Sequence, residues 1–256
     1  MAPASLRKQI IMILKIDKLW KDFSGLEVLS EITMEIFEGE RHAIIGPNGA
    51  GKTTLFNIIT GFYRPSKGKI YFLDKDITGL SAHKIARLGL SRSFQIINVF
   101  PKMTVYENVR SAVVSKFNRR YCCTALLNRD RKIERESDRI IGLLRMTDVR
   151  DVPASELSYG RQRQLELALT VARDPVLIML DEPTAGLSSE ETRKAVPFIK
   201  QVADGKTLVI VEHDMNVVFN LADRITVLND GKILATGTPD EIRENIEVKN
   251  AYLGRR

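Results

Sequence analysis

The sequence predicts an α/β fold with a mainly parallel sheet, and three stretches carry that expectation. Ala43-Ile44-Ile45 runs directly into a glycine-rich loop, Gly46-Pro47-Asn48-Gly49-Ala50-Gly51-Lys52-Thr53, and a helix-like run from Thr54 to Ile59 follows. Val176–Leu180 is a continuous apolar run, and Thr207–Val211 is nearly one, as in parallel strands buried on both faces. Helix-like segments separate these runs, and strands alternating with helices build such a sheet.

The loop fits the pattern G-x-x-x-x-G-K-[ST]. A short buried strand delivers the chain into glycines that permit positive φ and let backbone approach a polyphosphate. The helix that follows aims free N–H groups and a positive dipole end at the same place. Lys52 adds a mobile charge for the β/γ-phosphates, and the Thr53 hydroxyl can ligate Mg²⁺. The pattern implies binding of a nucleoside triphosphate.

The other elements follow in chain order. Met1 to Leu14 carries Arg7 and Lys8 ahead of a short apolar run, and Lys15 and Asp17 stand where a cleavage site would need small residues. It reads as a tail leading into the first strand, which implies a cytoplasmic chain. Ile13–Trp20 and Ile32–Ile36 alternate apolar and polar residues and predict an antiparallel β-layer, with a turn at Glu38–Glu40. Phe23, beside the first of these runs, suits either stacking on a nucleobase or a place in the core. A turn at Gly61–Gly68 leads to a strand at Lys69–Phe72, and residues 82–90 look helical. Residues 105–146 carry helical periodicity interrupted by a basic loop around Arg119, Arg120, Arg129, Arg131 and Lys132. That charge run reads as a solvated face, without the interleaved aromatics that nucleic-acid binding favours.

An amphipathic helix is predicted over Arg163–Arg173, opened by Leu157-Ser158-Tyr159-Gly160. Ser188-Ser189-Glu190-Glu191 is a capping box for another helix. A final β-pair spans Asp223–Ala235 around a turn at Asn229-Asp230-Gly231. Thr238-Pro239-Asp240-Glu241 then caps a C-terminal helix, with proline at its first position.

Composition narrows the classes. The chain has 256 residues, 44% of them hydrophobic, which suffices for a sizeable core. Its net charge of +7 suits anionic partners in general and selects none. Two adjacent cysteines, Cys122 and Cys123, offer neither a disulfide framework nor CxxC spacing, as in a reducing compartment. No stretch approaches the roughly 18 apolar residues of a membrane span.

The chemistry expected of the strand ends follows from their position. Asp181 and Glu182 end the Val176–Leu180 run, where open α/β sheets bind ligands. Asp181 there would hold Mg²⁺, and Glu182 would act as general base toward an attacking water. His213 lies just past the next buried run and would reach the same sheet edge, where it can sense a γ-phosphate. Gln95 can approach Mg²⁺ or the attacking water. Ser158 and Gly160 offer a second phosphate-binding helix start, which makes sense if two chains meet head to tail and complete each other's sites.

In order, GPNGAGKT, Gln95, LSYGRQ, LIMLDEP, Thr184-Ala185-Gly186-Leu187 and Glu212-His213-Asp214 resemble the ATP-binding subunit of an ABC transporter over about residues 13–254. SRSFQ, LSYGRQRQLELA and the ending from Gly237-Thr238-Pro239 to Ala251-Tyr252-Leu253-Gly254 are most similar to the ATPases of importers for branched-chain and other hydrophobic amino acids. The resemblance implies a P-loop NTPase core with an N-terminal antiparallel β-layer and an inserted α-helical subdomain. It divides a single domain, 1–256, into core and β-layer at about 13–95 and 165–235. The helical subdomain with its signature loop then falls at 96–164 and the C-terminal helix at 236–256.

It further implies ATP and Mg²⁺ as cofactors, with Phe23 stacking the adenine and Gly46 to Thr54 cradling phosphate. Thr53, Gln95 and Asp181 would serve the metal, and Glu182, His213 and Gln95 the hydrolysis. Ser158 and Gly160 would face the ATP of the opposite subunit. Two integral-membrane permeases, a second ATPase and, indirectly, an extracytoplasmic solute-binding protein are the implied partners, with the chain peripheral on the inner membrane face. Tyr159 and Arg161 depart from the usual LSGGQ signature, and Ser188 stands where an aspartate is common. These departures favour a heterodimer over a homodimer. Other roles compatible with the resemblance are lipid or lipopolysaccharide extraction and a soluble ATPase acting on nucleic acid or ribosomes. The latter class usually fuses two ATPase units or carries long coiled coils.

Overall fold

The computed structural model describes residues 11–93, 99–117 and 130–253. Strands β1 (Met12–Phe23) and β2 (Leu26–Phe37) form a long antiparallel hairpin, and β4 (Lys67–Phe72) pairs antiparallel with the other edge of β1. With β5 (Lys75–Asp76) they make a four-stranded layer in the order β2-β1-β4-β5. The second layer has β3 (Arg41–Ile45), β6 (Leu90–Arg92), β7 (Leu177–Asp181), β8 (Thr207–Val211), β9 (Arg224–Asn229) and β10 (Lys232–Gly237). Its order is β10-β9-β3-β8-β7-β6, parallel throughout except for β10 at the edge.

Period-two geometry explains why the central strands read as unbroken apolar runs. Ile178, Leu180, Leu208, Ile210, Ala43 and Ile45 enter one core cluster, whereas Leu177, Met179, Val209, Val211 and Ile44 enter the other. Both faces are therefore covered, and each fully buried Leu or Ile contributes on the order of 1.5–3 kcal/mol. Helix α1 (Lys52–Ile59) lies between the layers, burying Leu55, Phe56, Ile58 and Ile59 against the hairpin. The opposite face carries α3 (Val105–Lys116), α4 (Arg131–Leu143), α5 (Tyr159–Val171), α6 (Ser189–Val202) and α7 (Met215–Leu221). The capping boxes expected at Ser188 and Thr238 are both formed, and Thr104 with Glu107 makes another at the start of α3.

Some expectations need correction. Residues 82–90 are not one helix: α2 spans Ala82–Arg87, and Leu90–Arg92 is the edge strand β6. Gly89 accepts backbone hydrogen bonds from Val176 and Leu177 at 2.8 and 3.2 Å, so the strand is made by pairing and is too short to show alternation. Helix α5 begins at Tyr159 and is not one-sided, because Arg163, Glu166 and Thr170 are buried along with its apolar residues. The C-terminal helix is two, α8 (Pro239–Glu244) and α9 (Ile246–Leu253), separated by the extended backbone of Asn245. Gln95, Arg119, Arg120, Arg129 and the cysteine pair lie outside the described residues, and Arg131 and Lys132 open α4. Among the described residues no helix is long and apolar enough to cross a membrane.

Candidate functional site

The loop Gly46–Gly51 leaves β3 and passes into α1 through Gly51. Gly46 is there because nothing larger fits: a Cβ on it would lie 2.2 Å from the Leu228 carbonyl oxygen. Lys52 is buried, and its ammonium donates to the carbonyls of Gly46 and Pro47 at 2.7 and 3.1 Å, so it is held inside the loop. Burial lowers its pKa, and Glu182 and Asp181 pull it back upward. Asn48, Gly49 and Thr53 are exposed, Pro47 and Thr54 half-buried, and Ala50 buried.

Asp181 ends β7 and is almost fully buried. Its N–H donates to Ser93 Oγ at 3.2 Å, while its carboxylate Oδ1 is buried without a hydrogen-bond partner. Burial raises its pKa, and so do the neighbouring Glu182 and Glu212, against the pull of Arg92 and Lys52. A buried carboxylate oxygen left bare and crowded by like charge fits a cation. Among the described residues no group of three or more His, Cys, Asp or Glu is assembled as a metal cage. A hard divalent ion at Asp181 would therefore need oxygens from a hydroxyl such as that of Thr53, from water and from phosphate, as Mg²⁺ sites commonly do.

Glu182 has a left-handed backbone, φ 46°, unusual for a side chain of its size. Its N–H donates to the Val211 carbonyl at 2.9 Å, which ties the end of β7 to β8. His213 Nδ1 then comes within 3.6 Å of Glu182 Oε1, with the imidazole largely exposed and the carboxylate about one-quarter exposed. Lys52, Asp181, Glu182 and His213 thus gather at one end of the parallel sheet.

Glu212 is the residue that sequence reasoning passed over. It is fully buried at the end of β8 and accepts from the Thr184 N–H and hydroxyl at 3.1 and 2.6 Å and from the His213 N–H at 3.1 Å. It therefore fixes the turn after Glu182 and the start of the His213 loop together. An acid at the end of an apolar strand was the signal that singled out Asp181, and Glu212 carries the same signal. Arg92 was also missed. It donates to Asn57 Oδ1 and Thr60 Oγ1 at 3.0 and 2.8 Å, stacks over Phe56 and Phe62, and lies within electrostatic reach of Asp181.

Two further expected members have contacts of their own. Phe23 packs edge-on to Tyr63, with ring centres 5.4 Å apart, and Lys21 sits over its ring at 4.4 Å. Ser158 caps α5, its Oγ accepting from the Arg161 N–H at 3.4 Å, and it is exposed. Tyr159 donates its hydroxyl to the Ala185 carbonyl at 3.2 Å, and a Cβ on Gly160 would lie 3.1 Å from Glu191 Oε1. The contacts of this segment are thus with the turn after β7 and the start of α6. Arg161 turns the other way, to the Arg145 carbonyl and Asp148 at 2.8 and 3.0 Å.

The family model "ABC transporter" matches residues 29–185, and the model "Branched-chain amino acid ATP-binding cassette transporter" matches residues 232–256. The high-affinity branched-chain amino acid transport ATP-binding protein LivG of Escherichia coli (strain K12) is 39% identical, over 94% of this chain and 98% of that one. BraF of Pseudomonas aeruginosa, described in the same words, is 37% identical over the same shares. The crystal structure of a nucleotide-free ATP-binding cassette from an ABC transporter matches with a TM-score of 0.82 at 27% identity, covering 96% of this chain and all of that one. The phosphate loop, the acids at the strand ends and these matches lead to one conclusion: the chain belongs to the ABC transporter family, as an ATP-binding and ATP-hydrolysing subunit closely related to the branched-chain amino acid transporter ATPases.

Proposed function

We propose that this subunit binds Mg²⁺-ATP at Gly46–Thr54 and powers import of branched-chain or other hydrophobic amino acids. The observation that carries the chemistry is the bare, buried Oδ1 of Asp181 beside Lys52, Glu182 and His213. The solute class rests on the relatives and on the C-terminal match.

The backbone N–H groups of the loop and the Lys52 ammonium bind the β/γ-phosphates. Thr53 and Asp181, with Gln95, would hold the metal, which when bound neutralises charge developing on the phosphoryl oxygens. Glu182 takes the proton of the attacking water. His213, 3.6 Å from that carboxylate, orients Glu182 and reaches for the γ-phosphate. Phe23 would stack on the adenine after exchanging contacts with Tyr63 or Lys21.

Ser158 and Gly160 would close on the ATP held by a second ATPase subunit, and two permeases would receive the motion on the inner membrane face. Phe100 is an exposed aromatic suited to that contact. Its loop is locked by Asn108, which donates to the Phe100, Met103 and Thr104 carbonyls at 3.1, 3.1 and 2.9 Å. Co-purification of the tagged chain from gently solubilised native membranes tests the assembly. Two different permeases and a second ATPase are expected, with solute uptake then assayed. Recovery with a lipid-extracting complex would replace the solute reading, and recovery with ribosomes or DNA alone would overturn the transporter role.

A further inference from the structure

The turn that leaves β7 begins at Glu182 and is fastened from two sides. Within it, the Ala185 N–H donates to the Glu182 carbonyl at 3.1 Å and the Leu187 N–H to the Thr184 carbonyl at 3.2 Å. The left-handed backbone of Glu182, φ 46°, persists only where the surroundings fix it. On the buried side, Glu212 accepts from both the N–H and the hydroxyl of Thr184 at 3.1 and 2.6 Å. That clamp secures the turn at Thr184; the arm from Ala185 to Leu187 is secured from the other side.

Tyr159, the first residue of α5, supplies that second fastening. Its hydroxyl donates to the Ala185 carbonyl at 3.2 Å. Gly186 has φ 78°, and a Cβ on it would lie 3.1 Å from both the hydroxyl oxygen and a ring carbon of Tyr159. The ring thus packs against backbone that only glycine leaves open. One residue on, a Cβ on Gly160 would lie 3.1 Å from Glu191 Oε1, and Glu191 closes the capping box with Ser188 at the start of α6. The first two residues of α5 therefore meet both the turn and the helix it leads into. Two hydrogen bonds run in series from the phenol to the backbone of Glu182: Tyr159 to the Ala185 carbonyl, and the Ala185 N–H to the Glu182 carbonyl.

We propose that Tyr159 is a positioning residue for Glu182: through Ala185 and Gly186 it keeps the turn after β7 in the shape that presents the carboxylate. It thereby ties the start of α5, where Ser158 stands exposed, to the base of its own chain. This role rests on the reading of Glu182 as the general base. A glycine at 159 would have neither ring nor hydroxyl, so the departure from LSGGQ adds a contact. The contact governs where the base sits and does not touch the phosphate loop, so it acts on the chemical step more than on ATP affinity.

The test is Tyr159→Phe in the full chain, which removes one hydroxyl and keeps the ring on Gly186. kcat and KM for ATP, binding of a non-hydrolysable ATP analogue and the melting temperature are measured beside wild type. The same change is made in Glu182→Gln, where single-turnover hydrolysis is followed. Loss of one neutral hydrogen bond predicts kcat lower by roughly five-fold, with KM and analogue affinity within about two-fold. The melting temperature should move by no more than about 2–4 °C. Beside Glu182→Gln the further loss should vanish, because the group being positioned is gone. Unchanged kcat, or an affinity loss as large as the kcat loss, overturns the positioning role. So does a five-fold loss that persists in full beside Glu182→Gln, which would show Tyr159 acting on another group. A large fall in melting temperature with wild-type kcat in the folded fraction would make Tyr159 merely structural. Near-normal turnover of Glu182→Gln alone would remove the base reading, and the role of Tyr159 with it. An inactive Glu182→Gln beside an unaffected Tyr159→Phe would overturn the role of Tyr159 and keep the base.

Discussion

The two glycine-containing, phosphate-directed segments of this chain are built in opposite ways. Gly46–Lys52 is backed from within the chain: Leu228, Gly231 and Leu29 press on it, Lys52 is folded into it and Ala50 is buried, while Asn48 and Gly49 stay exposed. Ser158–Gly160 is more open, with Ser158 and Tyr159 exposed, Tyr159 reaching Ala185, and Ser158 and Gly160 lining a cavity with Leu187 and Glu191. Such backing suits the first segment to the proposed binding of a ligand from one chain alone. The second has a helix start and a hydroxyl on its surface, as half an interface would. The proposed division, one complete phosphate site and one that needs a second ATPase, follows from that difference.

The sharpest way to break the comparison is Glu182→Gln. If the backed site holds both binding and base, turnover should fall by about 10²–10⁴-fold while ATP affinity stays within about two-fold. Near-normal turnover in a steady-state ATPase assay would remove Glu182 as the base. Stable ATP-driven self-dimers of the same variant would count against the heterodimer preference. Lys52→Ala should weaken ATP binding by roughly 10–100-fold, the worth of a charged hydrogen bond in a partly buried site, read by calorimetry on the single chain. Ser158→Ala tests the open segment. Single-chain ATP affinity should not change, whereas turnover in the assembled complex should drop by about ten-fold. A loss of single-chain affinity would mean that the two segments share one site.

The smallest effect concerns stability and carries a sign. The pKa of Asp181 is raised in the folded chain, chiefly by burial. Its protonated form is therefore favoured in the fold. That stabilisation is full below the unfolded pKa of about 4 and is lost as pH rises through the folded value. Asp181→Asn has no such loss. Its melting temperature without nucleotide should exceed that of wild type at pH 7, by about 2–4 °C for each kcal/mol relieved, and the gap should close toward pH 4. Mg²⁺-dependent turnover should fall in the same variant. A gap that widened on acidification would show that Asp181 is stabilised as the carboxylate and would undo the cation argument.

Legibility followed the length scale of each interaction. The loop, α1 and the Ser188 and Thr238 caps are written in adjacent residues, so the sequence reading located them. The run Leu177–Asp181 was recognisable because burial on both faces leaves no polar position. Strand β6 was invisible because three residues carry no period and its pairing with β7 comes from about ninety residues away. The burial of Arg163 and Glu166 escaped notice for a related reason. Their ion pair, 2.7 Å long, lets two charges occupy positions that composition would assign to solvent.

Within the candidate site the same rule separates what was read from what was missed. Lys52, Asp181 and Glu182 follow from residue type at a strand end or loop, because the backbone geometry there is local. Glu212 reaching Thr184 and Gly231 reaching Ala50 join residues 28 and 181 positions apart. The sequence alone determined the parallel α/β core, the phosphate loop and the family, since periodicity, glycine placement and motif order are local properties of the chain. Only the tertiary structure decided how that loop is held, which carboxylate is left bare and which segment is left open, because those depend on packing between elements that no local pattern encodes.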